Sequence, residues 1–225
     1  EQILAEPLRT HADANVLRSA TLESAQILAS LGRSAEAAER FGSLTDSARA
    51  RLGCAEALVR LGRYGEAASL IERTTWSDDE APTAWVLAAR ARMLEGSYER
   101  AEQHLELAKR ATTKKTTSGL AVVDGLIAFY RGDRDRARKI LNDGLAALSP
   151  TDDRERGTML ATLALVLHKA GDLVRAESAY RDSVVAAKHE HDLPKQVARL
   201  INLGCLQQEC GQFETALASY REASS

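Results

Sequence analysis

No run of about 18 apolar residues occurs in the 225-residue chain, so no membrane span is expected. Cysteine is scarce. Cys54, Cys205 and Cys210 make an odd count without a CxxC pair, and Cys205 and Cys210 stand five apart on a helix. That spacing suits no disulfide, and the expected role is that of small buried hydrophobes in a reducing, cytoplasmic setting. A net charge of −2 supplies no large positive field, so neither nucleic acid nor a membrane surface is an expected partner. The basic cluster Lys109, Arg110, Lys114 and Lys115 lacks interleaved aromatics and is expected to be a solvated loop. No strand is predicted. No glycine-rich phosphate loop, Ser/His/Asp order or zincin motif is present. His189 and His191 point roughly 200° apart on a helix and cannot share a metal from one face. His168 stands without a placed carboxylate or nucleophile. These absences argue for a non-enzymatic chain without metal or cofactor. Lysine is rare as well, 7 against 23 arginines, a bias associated with GC-rich bacterial genomes.

What is present is a repeated figure. Six glycines, Gly32, Gly62, Gly96, Gly132, Gly171 and Gly211, are each followed five residues on by alanine: Ala37, Ala67, Ala101, Ala137, Ala176 and Ala216. Nine residues on comes a bulky side chain: Phe41, Ile71, Leu105, Leu141, Tyr180 and Tyr220. Seven residues before stands a small one: Ala25, Ala55, Ala89, Gly125, Ala164 and Gly204. Runs such as Leu160, Leu163, Ala164 and Leu167 have helical spacing, and so do those after each glycine. Each unit therefore reads as helix A, a tight glycine turn and helix B. The small residue and the alanine are expected to face each other across the hairpin, with the bulky residue filling the gap toward the next unit. One hairpin cannot bury its apolar face alone, so the hairpins should stack.

The pattern resembles the tetratricopeptide repeat from about Val16 onward. Trp85, eleven residues before Gly96, stands where the family motif opens. The closing proline is missing from its usual place. The glycine spacings are 30, 34, 36, 39 and 40, against a family length of about 34. Lengthened repeats of this kind resemble relatives in bacterial regulators and peptide-sensing proteins. The implied fold is all-α, a right-handed superhelical solenoid of about six hairpins. The expected repeats are 16–43, 46–75, 78–112, 116–149, 152–191 and 192–225, one solenoid domain over 16–225. Residues 1–15 are expected to be a leading segment, the end of a preceding helix. Candidate N-caps are Asp46, Thr151 and Asp192, with a capping box from Ser77 to Glu80.

The resemblance also implies that helix A lines a concave face that binds ligands. Carried over by distance from each glycine, the groove positions in the first half include Arg49, Glu56, Arg60, Arg90 and Met93. The second half contributes Val122, Leu126, Phe129, Tyr130, Leu165, His168 and Lys169. An apolar, aromatic middle with arginines on its flank suggests a protein or peptide partner with large apolar side chains and a carboxylate. The expected function is a protein–protein interaction module, excised from a larger bacterial regulatory or scaffolding protein. The alternative is a ligand- or peptide-sensing domain that controls an attached effector such as a kinase, STAND ATPase or DNA-binding domain. Phe213, Leu217 and Tyr220 on the last helix are expected to support self-association.

Overall fold

The computed structural model describes the backbone of residues 2–44, 46–111, 117–149 and 151–224, and the side chains of 15–44, 46–111, 119–149 and 151–224. Lys114 and Lys115 lie outside the described residues. Twelve α-helices, and no strand, occur among the described residues. They pair in chain order. The first three pairs are α1 (Gln2–Ser30) with α2 (Ser34–Gly42), α3 (Ala48–Arg60) with α4 (Tyr64–Glu72), and α5 (Ala81–Leu94) with α6 (Tyr98–Ala111). The last three are α7 (Thr117–Tyr130) with α8 (Arg134–Ala147), α9 (Asp153–Ala170) with α10 (Leu173–His189), and α11 (Leu193–Glu209) with α12 (Phe213–Ser224). The chain forms two compact units, Glu1–Ala111 with the first three hairpins and Thr112–Ser225 with the last three. Residues from Gln2 onward are continuous with α1.

All six turns are built alike. The glycines have φ between 74° and 90°, the left-handed region that costs other residues strain. In each turn the glycine N–H bonds back three residues and the next N–H bonds back five. Examples are Gly132 to the Phe129 carbonyl at 2.9 Å and Asp133 to the Ala128 carbonyl at 2.9 Å. This is a Schellman closure, which satisfies carbonyls that the helix end would leave open. A Cβ at any of these glycines would meet nothing within 4 Å, so the backbone angle and not crowding demands glycine there.

Gly125 and Gly204 are glycine for the opposite reason. A Cβ on Gly125 would lie 2.8 Å from Leu141 Cγ, and one on Gly204 would lie 2.5 Å from the Tyr220 ring. In these two hairpins the small residue of helix A thus receives the bulky residue of its own helix B, which was expected to fill the gap toward the next unit. The alanine column is buried throughout, and five of the six bulky residues are buried as well. Tyr220 is half-buried. In the first hairpin the bulky residue also reaches forward, because a Cβ on Gly53 of α3 would lie 2.6 Å from the Phe41 ring.

The core of the first unit is alanine-rich, built on Ala55, Leu58, Ala67, Ala68, Ile71, Ala84, Leu87 and Ala88. That of the second holds larger side chains, among them Met159, Leu163, Leu167, Tyr180, Leu203 and Leu206. Several caps differ from expectation. Ser47, not Asp46, caps α3 by accepting from the Ala50 N–H, since it stands immediately before the first helical residue. Asp152, not Thr151, precedes α9, and its carboxylate accepts from the Ser149 N–H. The Ser77 hydroxyl donates to the Glu80 carboxylate itself at 2.7 Å instead of making a reciprocal backbone box. Asp192 does cap α11, accepting from the Lys195 N–H. Cys54 and Cys210 are half-buried and Cys205 is exposed, so none of the three is a fully buried filler. No helix among the described residues is long and apolar enough to cross a membrane.

Candidate functional site

The expected groove residues fall on the A helices, some in each unit, and each unit presents its own face. In the first, Arg49, Glu56 and Arg90 are exposed on α3 and α5. The Arg60 guanidinium donates to the Ala29 carbonyl at 2.7 Å, tying α3 to the last turn of α1. Met93 is 4% exposed and Val59 is 8% exposed. Met93 therefore belongs to the core and not to an open face.

Sequence reasoning missed a polar network in this unit, in which buried Arg92 and His104 meet the solvent-reaching carboxylates of Glu72 and Glu95. Arg92 donates to both oxygens of Glu72 at 2.7 and 2.9 Å, and to Glu95 at 2.8 Å. The Nε2 of His104 lies 3.2 Å from Glu72, its Nδ1 lies 2.7 Å from the Arg100 carbonyl, and Trp85 stacks on the ring at 5.5 Å. Burial pushes the His104 pKa down, against the upward pull of the Arg100 carbonyl and the Glu72 carboxylate. The only hint in the sequence was the spacing of Glu72, Trp85, Arg92 and His104 about a repeat B helix and its successors. No motif specifies that pattern.

The second unit differs. On α7, Val122 and Phe129 are half-buried and pack on the core, Leu126 is half-buried, and Tyr130 is 48% exposed. The Phe129 and Tyr130 rings meet edge to face at 5.3 Å. Leu165 on α9 is half-buried, and Ile201 on α11, which matches Ala161 by its distance from the turn glycine, is 44% exposed. The strip is bordered by Lys169 and by a His168–Glu209 pair, Nε2 to Oε2 at 2.7 Å, which joins α9 to α11. His168 packs edge-on at 6.3 Å to Tyr180, whose phenol burial pushes up to about 12. The hydrogen bond from His168, and then its charge, hold the Glu209 carboxyl below the usual range. His168 thus has a carboxylate partner, supplied by the next hairpin 41 residues away and invisible to any local motif.

Arg49, Glu56, Arg60 and Arg90 share the first unit; Val122, Leu126, Phe129, Tyr130, Leu165, His168 and Lys169 share the second. On α12, Phe213 is 65% and Leu217 is 47% exposed. The Tyr220 ring covers Gly204, and its hydroxyl donates to Gln208 at 3.2 Å. Among the described residues no three His, Cys, Asp or Glu side chains gather as a metal site, and His189 lies 3.5 Å from Asp153.

The tetratricopeptide repeat family model matches residues 22–80, 52–115 and 124–190. The chain belongs to the tetratricopeptide repeat family. Repeats of this family are generally non-catalytic scaffolds for protein interaction. The sequence matches no curated protein. Among solved structures it is similar to a signal-transduction ATPase (STAND) protein with a tetratricopeptide repeat sensor from Pyrococcus horikoshii. That match has a TM-score of 0.68 and 16% identity, covering 93% of this chain and 33% of that one. A thermophilic repeat protein of Thermus thermophilus matches with a TM-score of 0.65 and 20% identity over 81% of this chain and 96% of that one. BtubC from P. vanneervenii matches with a TM-score of 0.60 and 18% identity over 93% of this chain and 87% of that one. These likenesses concern the fold.

Proposed function

We propose that the chain is a non-enzymatic protein-interaction module and that the A-helix face of its second unit receives a partner segment. The observation that carries this reading is the apolar strip itself. Tyr130 and Ile201 are 48% and 44% exposed beside half-buried Leu126, Phe129 and Leu165. An aromatic strip with a charged border offers the desolvated anchors on which interfaces depend. Lys169 and the His168–Glu209 pair at the border set the orientation of the bound segment. A peptide with large apolar side chains and one carboxylate fits this chemistry. The test is recovery of partner proteins on immobilised wild-type chain and on Phe129→Ala combined with Leu165→Ala. Recovery should fall at least about tenfold; unchanged recovery from a folded variant defeats the proposal.

One contact favours a second reading, a sensing domain that controls an attached effector. The His168–Glu209 pair is the tie between α9 and α11 on this face, so a ligand that engages either residue competes with it. The STAND protein from Pyrococcus horikoshii carries a tetratricopeptide repeat sensor. Distances between spin labels at Lys139 and Arg221, both in the second unit and outside the strip, discriminate the two readings. Sensing requires a change on ligand binding, and passive docking requires none.

The exposed apolar side chains of α12 give a further element of the proposal, self-association through Phe213, Leu217 and Tyr220. Sedimentation should show concentration-dependent association that Phe213→Glu weakens. Phe213 is the better probe because Tyr220 also packs on Gly204. A strictly monomeric wild-type chain at high concentration removes this element.

A further inference from the structure

A second cleft lies on the other side of the same unit, between the B helices α8 and α10. Its floor is formed by Leu160, Leu163 and Leu167 of α9. Ser178 and Ala179 of α10 line its edge; Leu160 is half-buried, and Leu163 and Leu167 are 7% and 5% exposed. The space is about 380 Å³, within the range of small-ligand and side-chain pockets.

The cleft has two chemically different ends. Arg138 and Arg175 stand near the starts of α8 and α10, beside Leu167 near the Gly171 turn. Asn142 and Asp182 stand one to two turns further along the same helices, beside Leu160. Both arginines are exposed. Their partners are the surface carboxylates of Asp135 at 2.8 Å and Asp172 at 3.6 Å. Exposed pairs three residues apart on a helix are weak, so a bound carboxylate can displace them.

We infer that this cleft is a second peptide-binding site, distinct from the A-helix face. Its occupant is a short extended segment with an acidic side chain at the Arg138–Arg175 end, an apolar side chain over the three leucines, and a basic side chain or amide donor at the Asn142–Asp182 end. The charge complementarity fixes the direction of the segment. The apolar floor supplies the desolvated contact, and the guanidinium pair matches a carboxylate with two-pronged geometry. A segment of reversed charge order would place like charges together at both ends, which disfavours it.

The probe is a displayed library of random heptapeptides, selected on the full 225-residue chain. The expected pool is enriched in the order acidic, apolar, basic. Binding of the pool should fall about tenfold or more on Arg138→Glu combined with Arg175→Glu, and equally on Ser178→Trp, which fills the cleft. All three positions are exposed, so these variants keep the fold, and circular dichroism melts verify it. The Phe129→Ala, Leu165→Ala variant separates this inference from the proposed function, because it should bind the pool as the wild type does. A pool without the charge order, an empty selection, or binding that survives Ser178→Trp overturns the inference. So does a pool whose binding is lost only when the A-helix face is changed.

Discussion

Among the described residues each unit buries one arginine, to the same depth, and treats it differently. Arg92 and Arg199 are both 5% exposed. Arg92 is held by two carboxylates within hydrogen-bond distance, and His104 shares Oε1 of Glu72 with it. Arg199 donates to the Ser183 carbonyl at 2.7 Å, and its nearest carboxylate oxygen, Oε1 of Glu190, is 3.8 Å away. That oxygen is buried without a hydrogen-bond partner, while Lys195 holds the other one at 2.9 Å. A buried cation needs both charge and directional acceptors around it. The first unit supplies both from α4 and α5. In the second, the acceptor is backbone and the neutralising charge stands off. The same contrast appears on the A-helix faces, where the first unit shows arginine and glutamate and the second shows aromatic and aliphatic side chains.

The largest expected effect is on the tight network. Glu72→Gln removes the carboxylate that takes three hydrogen bonds from Arg92 and should cost about 2 kcal/mol. Amide hydrogen exchange resolved to α4, α5 and α6 measures it. Equal protection in wild type and variant would mean that Glu95 alone satisfies Arg92.

A smaller effect sharpens the role of His104. Its folded pKa is depressed by burial, so the unfolded chain takes up a proton first as pH falls. The stability His104 contributes is therefore complete above the ordinary histidine value of about 6.5 and declines as pH falls below it. The difference between the melting-temperature curves of wild type and His104→Gln from about pH 8 to about pH 5 isolates this term. Parallel curves would show that burial leaves His104 unshifted, and a wild type that gains on acidification would show that Glu72 holds the ring as the cation.

The smallest effect belongs to Glu190→Gln. Because its oxygen toward Arg199 makes no hydrogen bond, the loss should stay below about 1 kcal/mol, under half that of Glu72→Gln. Hydrogen exchange in α10 and α11 reads it. A loss as large as that at Glu72 would erase the contrast between the units.

The residue order by itself determined the hairpins. Gly32 and its five equivalents could be placed because a positive φ at a helix end is a local demand that only glycine meets without strain. The alanine column was legible for a similar reason, since close approach of two helices excludes every larger side chain at that register. Helix lengths followed from the spacing of the glycines, with α9, α10 and α11 at 18, 17 and 17 residues against 9 for α2 and α4. The tertiary structure alone decided what depends on the rotation of one helix against another. Met93 occupies a groove register and is nonetheless core, because a few tens of degrees of rotation carry a side chain from face to interior. His168 meets Glu209, and Arg92 meets Glu72, across gaps of 41 and 20 residues that no period in the sequence encodes. The cleft lined by Leu160, Leu163 and Leu167 of α9 is completed by Arg138 and Asn142 of α8 and Arg175, Ser178 and Asp182 of α10, which only packing brings together. Local backbone demands are written residue by residue, whereas side-chain meetings between helices depend on packing that the whole unit settles together.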